Sequence, residues 1–151
     1  MKKLLSLFAI GLVFFLSAPS SSYAQLRKIP AEVTENFKQK YPGASDVEWR
    51  DILKGFSAEF KLDDIPYVAY FNNKREWEST EQVIEEDNLP GEVKEGFDKS
   101  KYADWTVGTI HKIELADNSI QYRVEAIKTD IRKRNLYFNS DGKLLKDKIT
   151  L

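Results

Sequence analysis

The chain has no cysteine, one histidine and one methionine among its 151 residues. Without thiols it can form neither a disulfide nor a thiolate nucleophile, so its fold must be held by burial alone. The single histidine, His111, has no second ligand near it in sequence and is a poor basis for a metal site or acid–base work. No serine stands in a Gly-x-Ser-x-Gly elbow. Neither sign of charge is in excess, with 23 Lys and Arg against 24 Asp and Glu and a net charge of −1. A nucleic-acid partner, which calls for a basic footprint, is therefore not expected. These absences point to a non-enzymatic protein with no catalytic residues, no bound metal and no cofactor.

Long apolar runs are also scarce, and the one present lies at the N-terminus. Lys2 and Lys3 precede an apolar stretch from Leu4 to Leu16, and Ser22-Tyr23-Ala24 ends the segment with small residues at the positions a signal peptidase reads. About a dozen apolar residues fall short of the ~20 a spanning helix needs. Residues 1–24 are expected to be a signal peptide cleaved after Ala24, leaving 25–151 periplasmic or secreted, with no membrane insertion afterwards. Loss of Lys2 and Lys3 would take the net charge from −1 to −3. A cysteine-free exported chain of this size suits a bacterial envelope better than a disulfide-dense secretion.

A near-repeat is present. Tyr67-Val68-Ala69-Tyr70-Phe71-Asn72 followed by Asn73-Lys74 has its counterpart in Asn135-Leu136-Tyr137-Phe138-Asn139 followed by Ser140-Asp141-Gly142. Each copy reads as a strand entering a tight polar turn. Upstream, Ile29-Pro30-Ala31-Glu32-Val33 is matched by Leu89-Pro90-Gly91-Glu92-Val93. Both segments open like helices, with proline suited to the first turn and an early acid suited to the helix dipole. Ile29, Val33, Phe37 and Tyr41 form one narrow apolar stripe, wide enough to lie on a sheet and ended by Pro42-Gly43. The second helix carries Gly91 and Gly96, each costing about 1 kcal/mol against alanine, so its stability should come from docking.

Strands are expected over 46–52, 56–62, 67–72 and 76–84, then over 105–115, 120–128, 131–139 and 144–151. The clearest is Phe56, Ala58, Phe60 and Leu62 alternating with Ser57, Glu59, Lys61 and Asp63. The expected fold class is α+β: a tandem repeat of one helix plus four antiparallel strands, at about 29–84 and 89–151, with the helices packed on one face of the sheet. The two units are treated as one domain over 25–151.

With these helix openings and Tyr-Phe-Asn turns behind a signal-like segment, the chain resembles the PepSY-like family of secreted bacterial proteins, described as β-lactamase-inhibitor-like. The resemblance covers residues 29–151 and rests on structural motifs. It implies an antiparallel sheet with helices on one face and an open opposite face able to bind a partner. It also implies a bacterial envelope protein, commonly from Bacteroidetes. The absence of cysteine departs from the disulfide-bearing loops of the β-lactamase inhibitor protein, so the comparison is one of architecture.

Aromatic residues, 13% of the chain, are more numerous than one thin helix–sheet layer requires. Tryptophan and tyrosine make good interface anchors, giving a large rigid contact with one polar tip. Trp49, Tyr70, Trp77, Trp105, Tyr122 and Tyr137 are therefore the candidate partner-binding residues, at least two of them expected on the open face. The competing reading places the tryptophans inside the helix–sheet layer. The leading functional expectation is an inhibitor-like or protein-binding module whose partner is an envelope protein. The alternative is an accessory protein for a small ligand or cation, using acidic turns such as Asp63-Asp64 and Glu85-Glu86-Asp87. An enzyme would need carboxylates meeting in a pocket, and no spacing shows them doing so. Arg132-Lys133-Arg134 could bind an acidic partner, or could simply be a charged hairpin edge that discourages aggregation.

Overall fold

Proline starts both helices. In the computed structural model, which describes residues 27–150, Pro30 is extended and its carbonyl accepts from the amides of Val33 and Thr34, at 3.1 and 3.3 Å. Helix α1 then runs from Ala31 to Lys40, and Pro90 opens α2, Gly91–Asp98, in the same way. Each helix buries two apolar side chains one turn apart, Val33 with Phe37 and Val93 with Phe97. Full burial of such a side chain contributes about 1.5–3 kcal/mol, so helices this short depend on their docking more than on their own propensity. No helix among the described residues is long and apolar enough to cross a membrane. The signal segment expected over 1–24 lies outside the described residues.

Most of the other described residues form a sheet. Strands β1 (Ser45–Ile52), β2 (Gly55–Leu62), β3 (Ile65–Asn72) and β4 (Trp77–Ile84) precede α2. Strands β5 (Thr106–Leu115), β6 (Ile120–Thr129), β7 (Arg132–Asn139) and β8 (Leu144–Ile149) follow it. All eight pair antiparallel in chain order. Asp63 and Asp64, at φ 49° and 65°, make the two-residue turn between β2 and β3, a position where aspartate tolerates positive φ. The two Tyr-Phe-Asn turns share one hydrogen-bond pattern. Asn72 N–H donates to Glu76 O and Arg75 N–H to Asn72 O, as Asn139 N–H donates to Lys143 O and Gly142 N–H to Asn139 O. Arg75 at φ 70° stands where Gly142 stands at φ 77°.

This architecture corrects the expected fold class, a tandem repeat of one helix plus four strands. The protein is mostly one eight-stranded antiparallel sheet carrying two short helices. The finding that overturns the expectation is the ladder between β4 and β5, continuous over six residue pairs from Ser79–Leu115 to Ile84–Ile110. The sheet therefore has no seam at which to divide it. Repeated turns are local signals, whereas pairing between β4 and β5 bridges the long α2 connection and leaves no mark in either strand.

Register across the sheet sets its two faces. Ala58, Ala69 and Thr80 lie in line on one face, and Ile84, Ile110, Val124 and Leu136 continue that face into the second half. Helix α1 packs its Val33 and Phe37 with Phe56, Ala58, Phe60, Ala69 and Phe71. Helix α2 packs Val93 and Phe97 with Tyr122, Val124, Leu136 and Phe138. Gly96 is where α2 comes closest to the β7–β8 turn: a Cβ there would lie 2.0 Å from the carbonyl oxygen of Gly142. The glycine that weakens the helix is thus what allows it to dock.

Candidate functional site

The face opposite the helices is the candidate site. On β3, alternation directs Val68 and Tyr70 away from the buried Ala69 and Phe71; on β4, Glu81 and Val83 point away from the buried Thr80. His111 on β5 pairs with Arg123 on β6, and Arg123 pairs in turn with Tyr137 on β7. Together they line one side of the sheet, with a hollow of about 730 Å³ bordered by Val68, Tyr70, Glu81, Val83, His111 and Arg123.

A charge cluster forms its centre. Arg123 donates to both carboxylate oxygens of Glu81, at 3.0 and 2.7 Å, in the two-point geometry that suits a guanidinium and a carboxylate. His111 Nδ1 lies 3.6 Å from the same carboxylate. All three side chains are mostly buried, with Glu81 13%, Arg123 20% and His111 23% exposed. Burial alone would lower the pKa of Arg123, but Glu81 and Tyr137 outweigh it and the net shift is upward. For His111 the balance goes the other way: burial, then repulsion from Arg123, hold its pKa below the ordinary histidine value despite the pull of Glu81. Glu81 is already neutralised by Arg123, which limits that pull. Burial likewise raises the Tyr70 hydroxyl pKa, so Tyr70 presents a neutral phenol at physiological pH.

Tyr137 stands beside this cluster on β7, half-buried, with the ammonium groups of Lys148 and Lys146 at 5.4 and 5.9 Å from its ring centroid. At the other side of the sheet, Arg50 pairs with Glu59 at 3.0 Å and Lys61 with Asp46 at 2.8 Å. The arrangement is a buried charge cluster flanked by Val68, Tyr70, Val83 and Tyr137, with further ion pairs towards the β1 edge. It can take up a flat, complementary surface and hold it with hydrogen bonds; it contains no nucleophile set against a base. Among the described residues no group of three or more His, Cys, Asp or Glu side chains could hold a metal ion.

The six aromatic candidates divide. Tyr70 and Tyr137 are on the open face. Trp49, Trp77, Trp105 and Tyr122 are on the helix side, which corrects their expected place as open-face anchors. Trp49 sits opposite Ala58 and packs edge-on to Phe37 at 5.3 Å. Trp77 packs against the α1 cluster, donates from Nε1 to Thr80 Oγ1 at 2.9 Å and has the Lys40 ammonium 3.6 Å from its ring centroid. Trp105 meets Tyr102 edge-on at 5.0 Å, and Tyr122 is buried under α2. A period of two tells which residues share a face and leaves open which face the helices cover. Sequence reasoning missed Glu81 and Arg123, which are 42 residues apart. Their one visible signal was an arginine inserted between Tyr122 and Val124 in an otherwise half-buried strand.

Comparison with known proteins identifies the architecture. The family model described as "Putative beta-lactamase-inhibitor-like, PepSY-like" matches residues 54–146. A BLIP-like protein from Bacteroides fragilis superposes with a TM-score of 0.71 at 24% identity, over 83% of this chain and 89% of that one. A DUF2874 family protein from Bacteroides uniformis gives 0.72 at 20% identity, over 80% and 88%. A structure from Bacteroides eggerthii named among "putative periplasmic proteins" gives 0.71 at 19%, over 82% and 90%. At these identities the likeness establishes the fold. No curated protein sequence matches the chain.

Proposed function

Since the chain belongs to the beta-lactamase-inhibitor-like, PepSY-like family, we propose that it is a non-enzymatic, inhibitor-like module of the bacterial envelope that binds another protein through the open face of its sheet. The observation that carries this reading is the open face itself. Both helices pack on the opposite side, and Tyr70 and Tyr137 flank the Arg123–Glu81 pair on the face that neither helix covers, with the Lys146 and Lys148 ammonium groups beside the Tyr137 ring. Tyrosine and arginine are the residue types that dominate binding energy at protein interfaces. Their pre-arrangement on β3, β4, β6 and β7 of one sheet keeps the ordering cost of binding low.

A periplasmic or secreted location accompanies this reading. It draws on the signal-like layout of residues 1–24 and on the name of the Bacteroides eggerthii neighbour. The partner is taken to be an envelope protein whose contact surface offers acceptors to Tyr70 and Tyr137. The test is capture of envelope proteins on the immobilised protein, run in parallel with a Tyr70→Ser/Tyr137→Ser variant whose folding is checked by circular dichroism. A protein held by the native chain and released by the variant supports the reading. Identical capture by both forms overturns it.

A further inference from the structure

Of the basic run Arg132-Lys133-Arg134, Lys133 alternates to the open face, 4.0 Å from Glu125, whereas Arg132 and Arg134 turn to the helix side and have surroundings of their own. A hollow of about 580 Å³ opens on the helix side of the sheet, beyond the end of α2, where the segment after that helix meets the β6–β7 hairpin and the end of β8. Its lining includes five cations, Lys101, Lys128, Arg132, Lys133 and Arg134, against one acid, Asp104. The whole chain carries a net charge of −1, so this concentration of positive charge is local and does not follow from composition.

The cations are unequally occupied. Arg134 Nε lies 2.9 Å from Asp147 and also donates to the Tyr102 hydroxyl, and Lys101 is 3.3 Å from the same aspartate. These two are committed to the fold. Lys128 has only the largely exposed Asp104, at 4.0 Å, and Arg132 has no acidic partner among the described residues. Both converge on one ring: the Arg132 guanidinium and the Lys128 ammonium stand 5.5 and 5.7 Å from the Trp105 centroid. Two like charges held over a single indole repel each other, and an anion between them would relieve that repulsion. Beside them Ile149 and Ile131 are left 68% and 96% exposed. The hollow therefore offers a flat apolar wall together with two available cations, and its volume is that of a small-molecule site.

We propose that this hollow binds small organic anions that join an aromatic or apolar body to a phosphate or carboxylate group. The body lies against Trp105 and Ile149, and the anionic group sits between Lys128 and Arg132. A membrane surface fits less well. Asp130 stands next to Ile131 at the hairpin tip, and the other fully exposed tip residue, Leu53, is at the opposite end of the sheet.

The test is a titration of the protein with phenyl phosphate and, separately, with inorganic phosphate, read by the Trp105 indole N–H resonance and by calorimetry. Phenyl phosphate should shift that resonance and bind more tightly than inorganic phosphate. Lys128→Gln/Arg132→Gln, both at exposed positions, should weaken it by about tenfold or more, the size expected for losing charge-assisted hydrogen bonds. Asp104→Asn should tighten it by removing the competing acid. Equal affinity for the two anions, an affinity unchanged in the double variant, or sedimentation with anionic vesicles without any response to phenyl phosphate would each overturn the proposal.

Discussion

Arg123 on β6 reaches past the whole of β5 to hold Glu81 on β4 by two hydrogen bonds. The pair ties together strands on either side of the α2 connection and sets the electrostatics of the open face. Removing one partner leaves the other desolvated and uncompensated. Glu81→Gln should therefore destabilise the protein by about 1–3 kcal/mol, below the full cost of breaking a wholly buried pair because both groups retain some exposure. Urea denaturation measures the loss, and an unchanged midpoint would contradict it.

His111 makes stability depend on pH. Its pKa is lower in the folded protein than in the unfolded chain, so the unfolded state binds more protons as the pH drops. The neutral imidazole's contribution is fully present above the unfolded value of about 6.5 and is lost as pH falls through the folded value. The stability difference between native and His111→Gln proteins should accordingly shrink as pH falls from about 7 to about 5. Glu81→Gln should lower the His111 pKa further, since Glu81 is the first of the groups that raise it. NMR titration of the single histidine reads both effects, and a pKa that rises in Glu81→Gln would refute this account.

Gly96 and Gly91 lie in one helix and should respond in opposite directions. Alanine at Gly91 meets nothing within 4 Å, so it should be neutral or stabilise by up to about 1 kcal/mol. Alanine at Gly96 would drive a methyl into the Gly142 carbonyl and should cost about 1–3 kcal/mol despite its better helix propensity. Thermal denaturation of the two variants separates docking from propensity.

Tyr41 ends the stripe of α1 with its hydroxyl hydrogen-bonded to Thr80, and burial pushes its pKa up to about 12. Ultraviolet titration should show this tyrosine ionising well after an exposed phenol. In Thr80→Val, which removes one of the groups that stabilise the phenolate, its ionisation should move to still higher pH.

Local signals made much of this molecule legible. Alternation located the strand of Phe56, Ala58, Phe60 and Leu62, and Pro30 and Pro90 marked the helix openings. What could not be read was long-range. The six-pair ladder from Ser79–Leu115 to Ile84–Ile110 joins the sheet into one piece across α2, and neither strand announces its neighbour. Which side the tryptophans take is unreadable for a related reason: Trp49 shares a face with Ala58, but only the docked α1 shows that this face is the covered one. The central cluster was hidden because Glu81, His111 and Arg123 come from three strands, and a charged residue in an amphipathic strand reads the same whether it faces water or another charge.

The most direct measurement is the affinity of a captured envelope partner for three forms of the protein: native, Tyr70→Ala/Tyr137→Ala, and Lys40→Ala on the helix side. A tyrosine anchor at the centre of an interface is worth about 2 kcal/mol or more, so loss of even one of the two should weaken binding about thirtyfold and the double variant should bind more weakly still. Lys40→Ala should bind like the native protein. Full affinity in the tyrosine variant, or loss confined to Lys40→Ala, would contradict the assignment of the open face as the binding surface.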